Sequence, residues 1–166
     1  PDACYCRHCL ERFAAAAPSR AALPLDDPAA AAAWIRANAA ADWERFKTET
    51  ITSFAWEIIQ AVRAERPHIK VAVNLVPWRG DDYGGAITRV AGQDRDALGG
   101  LADVLSPMTY AFMLHREPAW ISSVVAETAR AGGCATLPAV QVAARYRTDE
   151  AYTPEEFAEA RLLIES

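Results

Sequence analysis

Apolar residues along this chain recur with two different periods. Trp43, Phe46, Thr50, Phe54, Ile58 and Val62 follow one another at steps of three and four, which predicts a helix with one wide apolar stripe, stopping before Pro67. Residues 69–76, Ile-Lys-Val-Ala-Val-Asn-Leu-Val, are rich in β-branched side chains and bounded by Pro67 and Pro77, which predicts a buried strand. A long loop is expected over 77–93, with Gly80, Gly84, Gly85 and Gly92, and then a short helix over 94–101. Residues 103–110 read as a second strand. A helix over 117–131 starts at Pro118 and ends at the Gly132-Gly133 pair. Residues 135–142 read as a third strand. In the last helix Thr153 caps, Pro154 takes the first helical position and Glu156 completes a capping box.

Upstream of the striped helix the pattern is weaker. Residues 14–41 are alanine-rich and carry Pro18, Pro24 and Pro28. Asp27 before Pro28 reads as N-cap and first helical residue. The helix expected over 29–41 has propensity but little to bury, so it is expected to lie as a surface excursion.

Helices alternating with strands imply an α/β fold with a parallel sheet joined by right-handed crossovers. Three strands are few for a doubly wound sheet. No Gly-x-Gly-x-x-Gly follows the first strand, which weakens a nucleotide-binding reading. The other parallel architecture is the (β/α)₈ barrel of about 250 residues, of which this chain would supply a part. The long loops after the strands carry aromatic and polar side chains, as barrel sites require.

Composition narrows the partners. The chain has 166 residues, enough for one domain with a core. A net charge of −5 and a pI near 5.2 provide no basic surface to follow a phosphate backbone, so nucleic acid is not an expected partner. No apolar run approaches the roughly 20 residues of a membrane span. No signal-peptide pattern is visible, and the compartment stays open between cytoplasm and secretion.

The densest chemistry lies at the start, Cys4-Tyr5-Cys6-Arg7-His8-Cys9. Three thiols so close cannot all enter one core, and they are spaced too tightly to pair easily with one another. They can converge on zinc, which takes thiolates in tetrahedral sets of four. A redox pair or unpaired thiols are the alternatives. The fourth ligand would be His8, Cys134 or a residue outside this chain, and the start at Pro1 rather than Met makes an upstream ligand one expectation.

This cluster, followed by Phe13, resembles the cysteine cluster of clan-A β-galactosidases that carry a structural zinc. The rest is similar to glycoside-hydrolase-like (β/α)₈ barrels of bacteria. The residues that carry this likeness are 43–67, Val71-Ala72-Val73-Asn74, Gly92-Gln93-Asp94, Ser106-Pro107-Met108-Thr109-Tyr110 with Trp120-Ile121, and Leu137-Pro138-Ala139-Val140-Gln141-Val142. The resemblance implies that the three strands are the fifth to seventh of a barrel. The chain would then be the C-terminal half of a catalytic domain, with 1–42 forming the cysteine loop and excursion and 43–166 the helix–strand repeats. The rest of the barrel would lie upstream and downstream. It also implies a glycosidase acting on a poly- or oligosaccharide, with a structural zinc on Cys4, Cys6 and Cys9.

Such an enzyme needs two carboxyl groups, about 5–5.5 Å apart for retention and about 6.5–9.5 Å for inversion. In the resembling barrels these sit after strands four and seven. Here the seventh position holds Gln141, so no catalytic pair carries over. The expected substrate wall is Asn74, Trp78, Met108, Tyr110 and Gln141. The bland alternatives are backbone bonding for Asn74 and Gln141, packing for Met108 and Tyr110, and a place beneath the loop for Trp78. Asp81 and Asp82 are weak candidates for an acid or a cation site, against a solvated turn beside Gly80. His115 is a weak candidate base or sugar ligand. Two further readings remain: a non-catalytic carbohydrate-binding barrel, and a small zinc-binding α/β interaction module.

Overall fold

The computed structural model describes residues 4–141 together with 153–155, 158, 161 and 162. The chain opens with α1 (Arg7–Ala15), a 3₁₀ turn (Pro18–Arg20), α2 (Pro28–Asn38) and the long α3 (Ala40–Glu65). Asp27 caps α2 as its sequence position predicts, accepting from the Ala29 and Ala30 N–H groups at 2.9 and 3.0 Å. The helix over 29–41 is broken in two near Ala39, whose backbone leaves the helical region, and α3 starts earlier than its stripe.

The alanine-rich stretch is no surface excursion. Ala31, Ala32 and Ile35 of α2 are buried, and Ala31 and Ile35 share a core with Leu10, Phe13, Leu23 and Trp43. Small alanines let backbones approach, and the large side chains come from the partners. Phe13 meets Trp43 edge-on at 4.8 Å, and Tyr5 stacks on Trp43 at 5.2 Å.

The stripe on α3 divides. Trp43 closes the N-terminal core, but Phe54 and Ile58 are 62% and 45% exposed. In the second half of α3 the buried residue is Ile59, one step and so about 100° round from Ile58. Ala55 faces the sheet core instead of the predicted stripe. The direction in which α5 and the sheet approach decides which face is covered, and periodicity alone does not contain that direction.

The second half of the described chain is β1 (Ala72–Leu75), α4 (Ala86–Arg89), α5 (Arg95–Gly99), β2 (Val104–Thr109), α6 (Ala119–Ala131), β3 (Ala135–Thr136) and β4 (Ala139–Val140). All pairings are parallel, in the order β1-β2-β3, with β4 also beside β2. The third strand is thus split at Leu137-Pro138. Proline has no N–H for the ladder, although the Leu137 N–H still donates to the Leu105 carbonyl at 3.0 Å. Val142 and the capping-box residue Glu156 lie outside the described residues, while Pro154 and Glu155 are helical as expected.

Side chains alternate across the sheet. Leu75, Leu105, Pro107 and Thr109 point to a buried face, where Leu98 of α5 and Ile121 of α6 supply the cover. α5 and α6 pack on β2 and on each other, so both helices lie on that face. They meet at two glycines: a Cβ on Gly99 would collide with the Gly132 backbone. Ala72 and Asn74, with Val104, Ser106 and Met108, point the other way and remain exposed or half-buried. The fold is therefore α/β, with a small open parallel sheet covered on one face among the described residues.

Two polar clips hold the sheet. At its entry edge, Asp103 accepts from the Val71 N–H at 2.9 Å, Lys70 at 3.1 Å and Arg63 at 3.2 Å. The Val71 N–H and then the two cations hold the Asp103 carboxyl down at about 2. At its exit edge, the Gln93 carboxamide accepts from the Val76 N–H at 2.8 Å and donates to the Asn74 carbonyl at 3.2 Å, covering part of the free edge of β1.

Candidate functional site

The three opening cysteines converge. Cys4, Cys6 and Cys9 place their sulfurs within 4.8 Å of one another, with Cys6 and Cys9 at 3.6 Å. Only Cys4 sits wholly before the first helix. Cys6 is the N-cap of α1 and Cys9 lies in its first turn, so the helix itself brings those two sulfurs to one side. Tyr5, between Cys4 and Cys6, packs into the N-terminal core and anchors the approach.

This arrangement fits a tetrahedral thiolate site. A Zn–S distance of about 2.3 Å implies sulfur–sulfur edges of about 3.8 Å, close to the Cys6–Cys9 separation. Among the described residues, this is the one cluster of His, Cys, Asp or Glu side chains close enough to hold an ion. His8 and Cys134 do not belong to it. His8 is exposed, and Cys134 packs against the sheet core of Leu75, Leu98 and Leu105. The described cluster thus supplies three ligand atoms, and neither His8 nor Cys134 adds a fourth to it.

The local electrostatics divide the thiols. The Cys9 backbone N–H, and then the Cys4 and Cys9 thiols, lower the Cys6 thiol below its ordinary value. Burial, reinforced by the Cys6 and Cys4 sulfurs, pushes Cys9 up to about 12. Three thiolates this close need a cation among them, and loading a metal must expel the Cys9 proton.

A cavity of ≈ 160 Å³ adjoins the cluster, between α1, α3 and the segment after α4. Cys4, Cys9, Arg12, Trp43, Phe46 and Lys47 contribute to its wall. Lys47 is buried and donates to the Arg89 carbonyl. Sequence reasoning missed this wall. The signal for it was Trp43 and Phe46, which periodicity placed together on the striped helix without saying what faces them.

The other candidates lie at the exit end of the sheet. Asn74 and Met108 share its open face by alternation, and Tyr110 and Gln141 follow directly on the ends of β2 and β4, one residue beyond the Thr109–Val140 pair. Asn74 is exposed, and Met108, Tyr110 and Gln141 are half-buried. The Gln141 carboxamide oxygen accepts from the Met113 N–H at 2.9 Å, which ties the loop after β2 to β4. Trp78 is half-buried and meets Tyr83 edge-on at 5.7 Å.

Asp81 and Asp82 do not act as a pair. Asp82 is clamped by Arg79, accepting from its N–H at 2.8 Å and its guanidinium at 2.7 Å, with the side chain only 10% exposed. The guanidinium holds this carboxyl below the usual range, the opposite of what a general acid needs. Asp81 is exposed, and neither joins a cation-sized cluster. His115 is exposed in the loop after β2 with φ 52°, a left-handed backbone that histidine tolerates better than most residues.

No helix of the described residues is long and apolar enough to cross a membrane. Comparisons with protein-family models, curated proteins and solved structures find no match for the chain.

Proposed function

We propose that this chain is the C-terminal half of a glycoside-hydrolase-like (β/α)₈ barrel, which binds a poly- or oligosaccharide at the exit ends of its strands. The observation that supports this reading is an all-parallel, sequentially ordered sheet with one face left uncovered among the described residues. Parallel sheets are covered on both faces almost without exception. A doubly wound sheet reverses its strand order and puts helices on both sides, whereas a barrel keeps one order and one helical layer. Asn74, Met108, Tyr110 and Gln141 would then line the barrel mouth, where barrel enzymes bind their substrates. Their carboxamides and hydroxyl suit sugar hydroxyls, and Trp78 would offer an apolar plane to a sugar ring.

The cysteine cluster would hold a structural zinc through Cys4, Cys6 and Cys9, with a fourth ligand outside the described residues. It would fix the start of α1 and, through Tyr5 and Trp43, the long helix that leads into β1.

A non-catalytic carbohydrate-binding barrel is the second reading. Asp82, kept ionised by Arg79, favours it, as does the resemblance, which would put Gln141 where those enzymes hold an acid. The test uses the chain with its natural flanking sequence, assayed for binding and for reducing-sugar release on a panel of polysaccharides. Binding weakened by Asn74→Ala and Tyr110→Phe is expected. Binding without release selects the second reading, and no binding to any glycan rejects both. Metal analysis with Cys6→Ser as control should find about one zinc, which the substitution removes.

A further inference from the structure

The cysteine cluster has a second chemistry, carried by a different subset of its atoms. A metal would use all three sulfurs equally, but the geometry separates them. Cys6 and Cys9 form a Cys-x-x-Cys pair at the start of α1, their sulfurs 3.6 Å apart. Cys6 is exposed at the N-cap, while Cys9 is half-buried against the N-terminal core. Cys4 lies before the helix, two residues from Cys6, a spacing too short for an unstrained bridge. Spacing alone argues against any pairing of the three thiols, but the Cys6 and Cys9 sulfurs stand 3.6 Å apart, and a local adjustment would bring them to the bond length of about 2.05 Å. Two more features of dithiol redox sites are present here: one accessible sulfur and one sheltered sulfur.

We propose that Cys6 and Cys9 are a thiol–disulfide exchange pair, reacting with low-molecular-weight disulfides, with Cys6 as attacking sulfur and Cys9 as resolving sulfur. The Cys6 thiolate attacks one sulfur of the small disulfide and expels the other as a thiolate, leaving a mixed disulfide on Cys6. Cys9 then gives its proton to solvent and attacks the Cys6 sulfur, and the second small thiol leaves. The small disulfide is reduced to two thiols, and the two cysteines are oxidised to one disulfide. Oxidation removes two of the three thiolates, so the disulfide and a bound metal exclude one another. That exclusion alone rests on the metal reading above; the exchange does not.

The experiment treats the chain, metal-free and zinc-loaded, with oxidised glutathione as the small disulfide, and maps the products by peptide mass spectrometry. The metal-free chain should lose two hydrogens, with the bridge mapped between Cys6 and Cys9. Cys9→Ser should stop at one glutathione adduct on Cys6, and Cys6→Ser should give no bridge at residue 9. Cys4→Ser should behave as the unaltered chain, and its far-UV circular dichroism checks that the helices persist. A first adduct on Cys4, Cys9 or Cys134, or a bridge that includes Cys4, overturns the proposal. Zinc should slow the exchange at least tenfold and be released as the bridge forms. A loaded chain that is bridged yet keeps its zinc overturns the exclusion. A chain that never takes up zinc fails the metal reading instead, and the metal-free mapping still decides the exchange.

Discussion

In the unit built from α1, α2 and the first half of α3, Leu10 and Phe13 are fully buried and the apolar side chains close on each other. The sheet unit of β1, β2, β3 and β4 with α5 and α6 behaves differently. It buries the odd-numbered residues of β1 and β2 and leaves the even-numbered ones facing outward. The first unit is made mainly of alanine and a few aromatics, and the second has the strongest strand pattern in the chain. Strength of local pattern therefore does not measure completeness of a core. Two short helices and the first half of α3 can close around Trp43, because a helix satisfies its own backbone and needs only one covered stripe. A parallel sheet has two faces and two edges, and the described helices cover one face.

If the N-terminal unit is the closed one, its central ring should matter most. Trp43→Ala removes a side chain that is 3% exposed and touches Tyr5, Phe13 and Phe46. It should cost about 3–5 kcal/mol in urea unfolding. A loss below about 1 kcal/mol would mean that this core is not closed. Next in size is the crossing of α5 and α6. Gly99→Ala should cost about 1–3 kcal/mol, because the new methyl meets backbone that cannot move aside. Gly100→Ala, where a Cβ would find only ordinary contacts, should stay within about 0.5 kcal/mol. Equal effects at the two positions would reject the close approach.

The entry edge of the sheet should respond to acid. Asp103 has its folded value lowered to about 2, so its contribution is complete above its unfolded value near 4 and is lost as pH falls from there toward 2. Asp103→Asn should flatten that limb of the stability–pH curve, measured by thermal unfolding between those values. An unchanged limb would remove Asp103 as its source. The smallest effect tests the open side. Phe54→Ser on the bare face of α3 should change the stability of this chain by no more than about 0.5 kcal/mol. In a longer natural chain that covers this face, the same substitution should cost clearly more, and an equal cost would leave the face solvent-exposed there too.

Much of this organisation was legible in the residues. Asp27 and Asp94 cap helices because a short carboxylate before a helical run has backbone N–H groups to accept from. Pro67 and the Gly132-Gly133 pair end helices for equally local reasons. The convergence of Cys4, Cys6 and Cys9 followed from spacing alone. The burial of the alanine-rich stretch was not legible, since alanine suits an exposed helix as well as a tight interface. The role of Asp82 was hidden for a related reason: a carboxylate near a strand end reads the same whether Arg79 clamps it or solvent surrounds it. The Gln93 clip on β1 joins residues 17 and 19 positions apart, which no local rule brings together.

Apart from α1 and α4, which its pattern did not predict, the sequence by itself determined the order of helices and strands, most of their caps and stops, and the presence of a thiol cluster. These depend on backbone sterics and on neighbours within one or two turns, which the local residues contain. Tertiary structure decided which face of α3 is covered, where the third strand breaks, which thiols are sheltered, and that His8 and Cys134 stand apart from the cluster. Each of these depends on where a distant element lies. A helix or strand offers several faces of nearly equal merit, and only the packing of the whole selects among them.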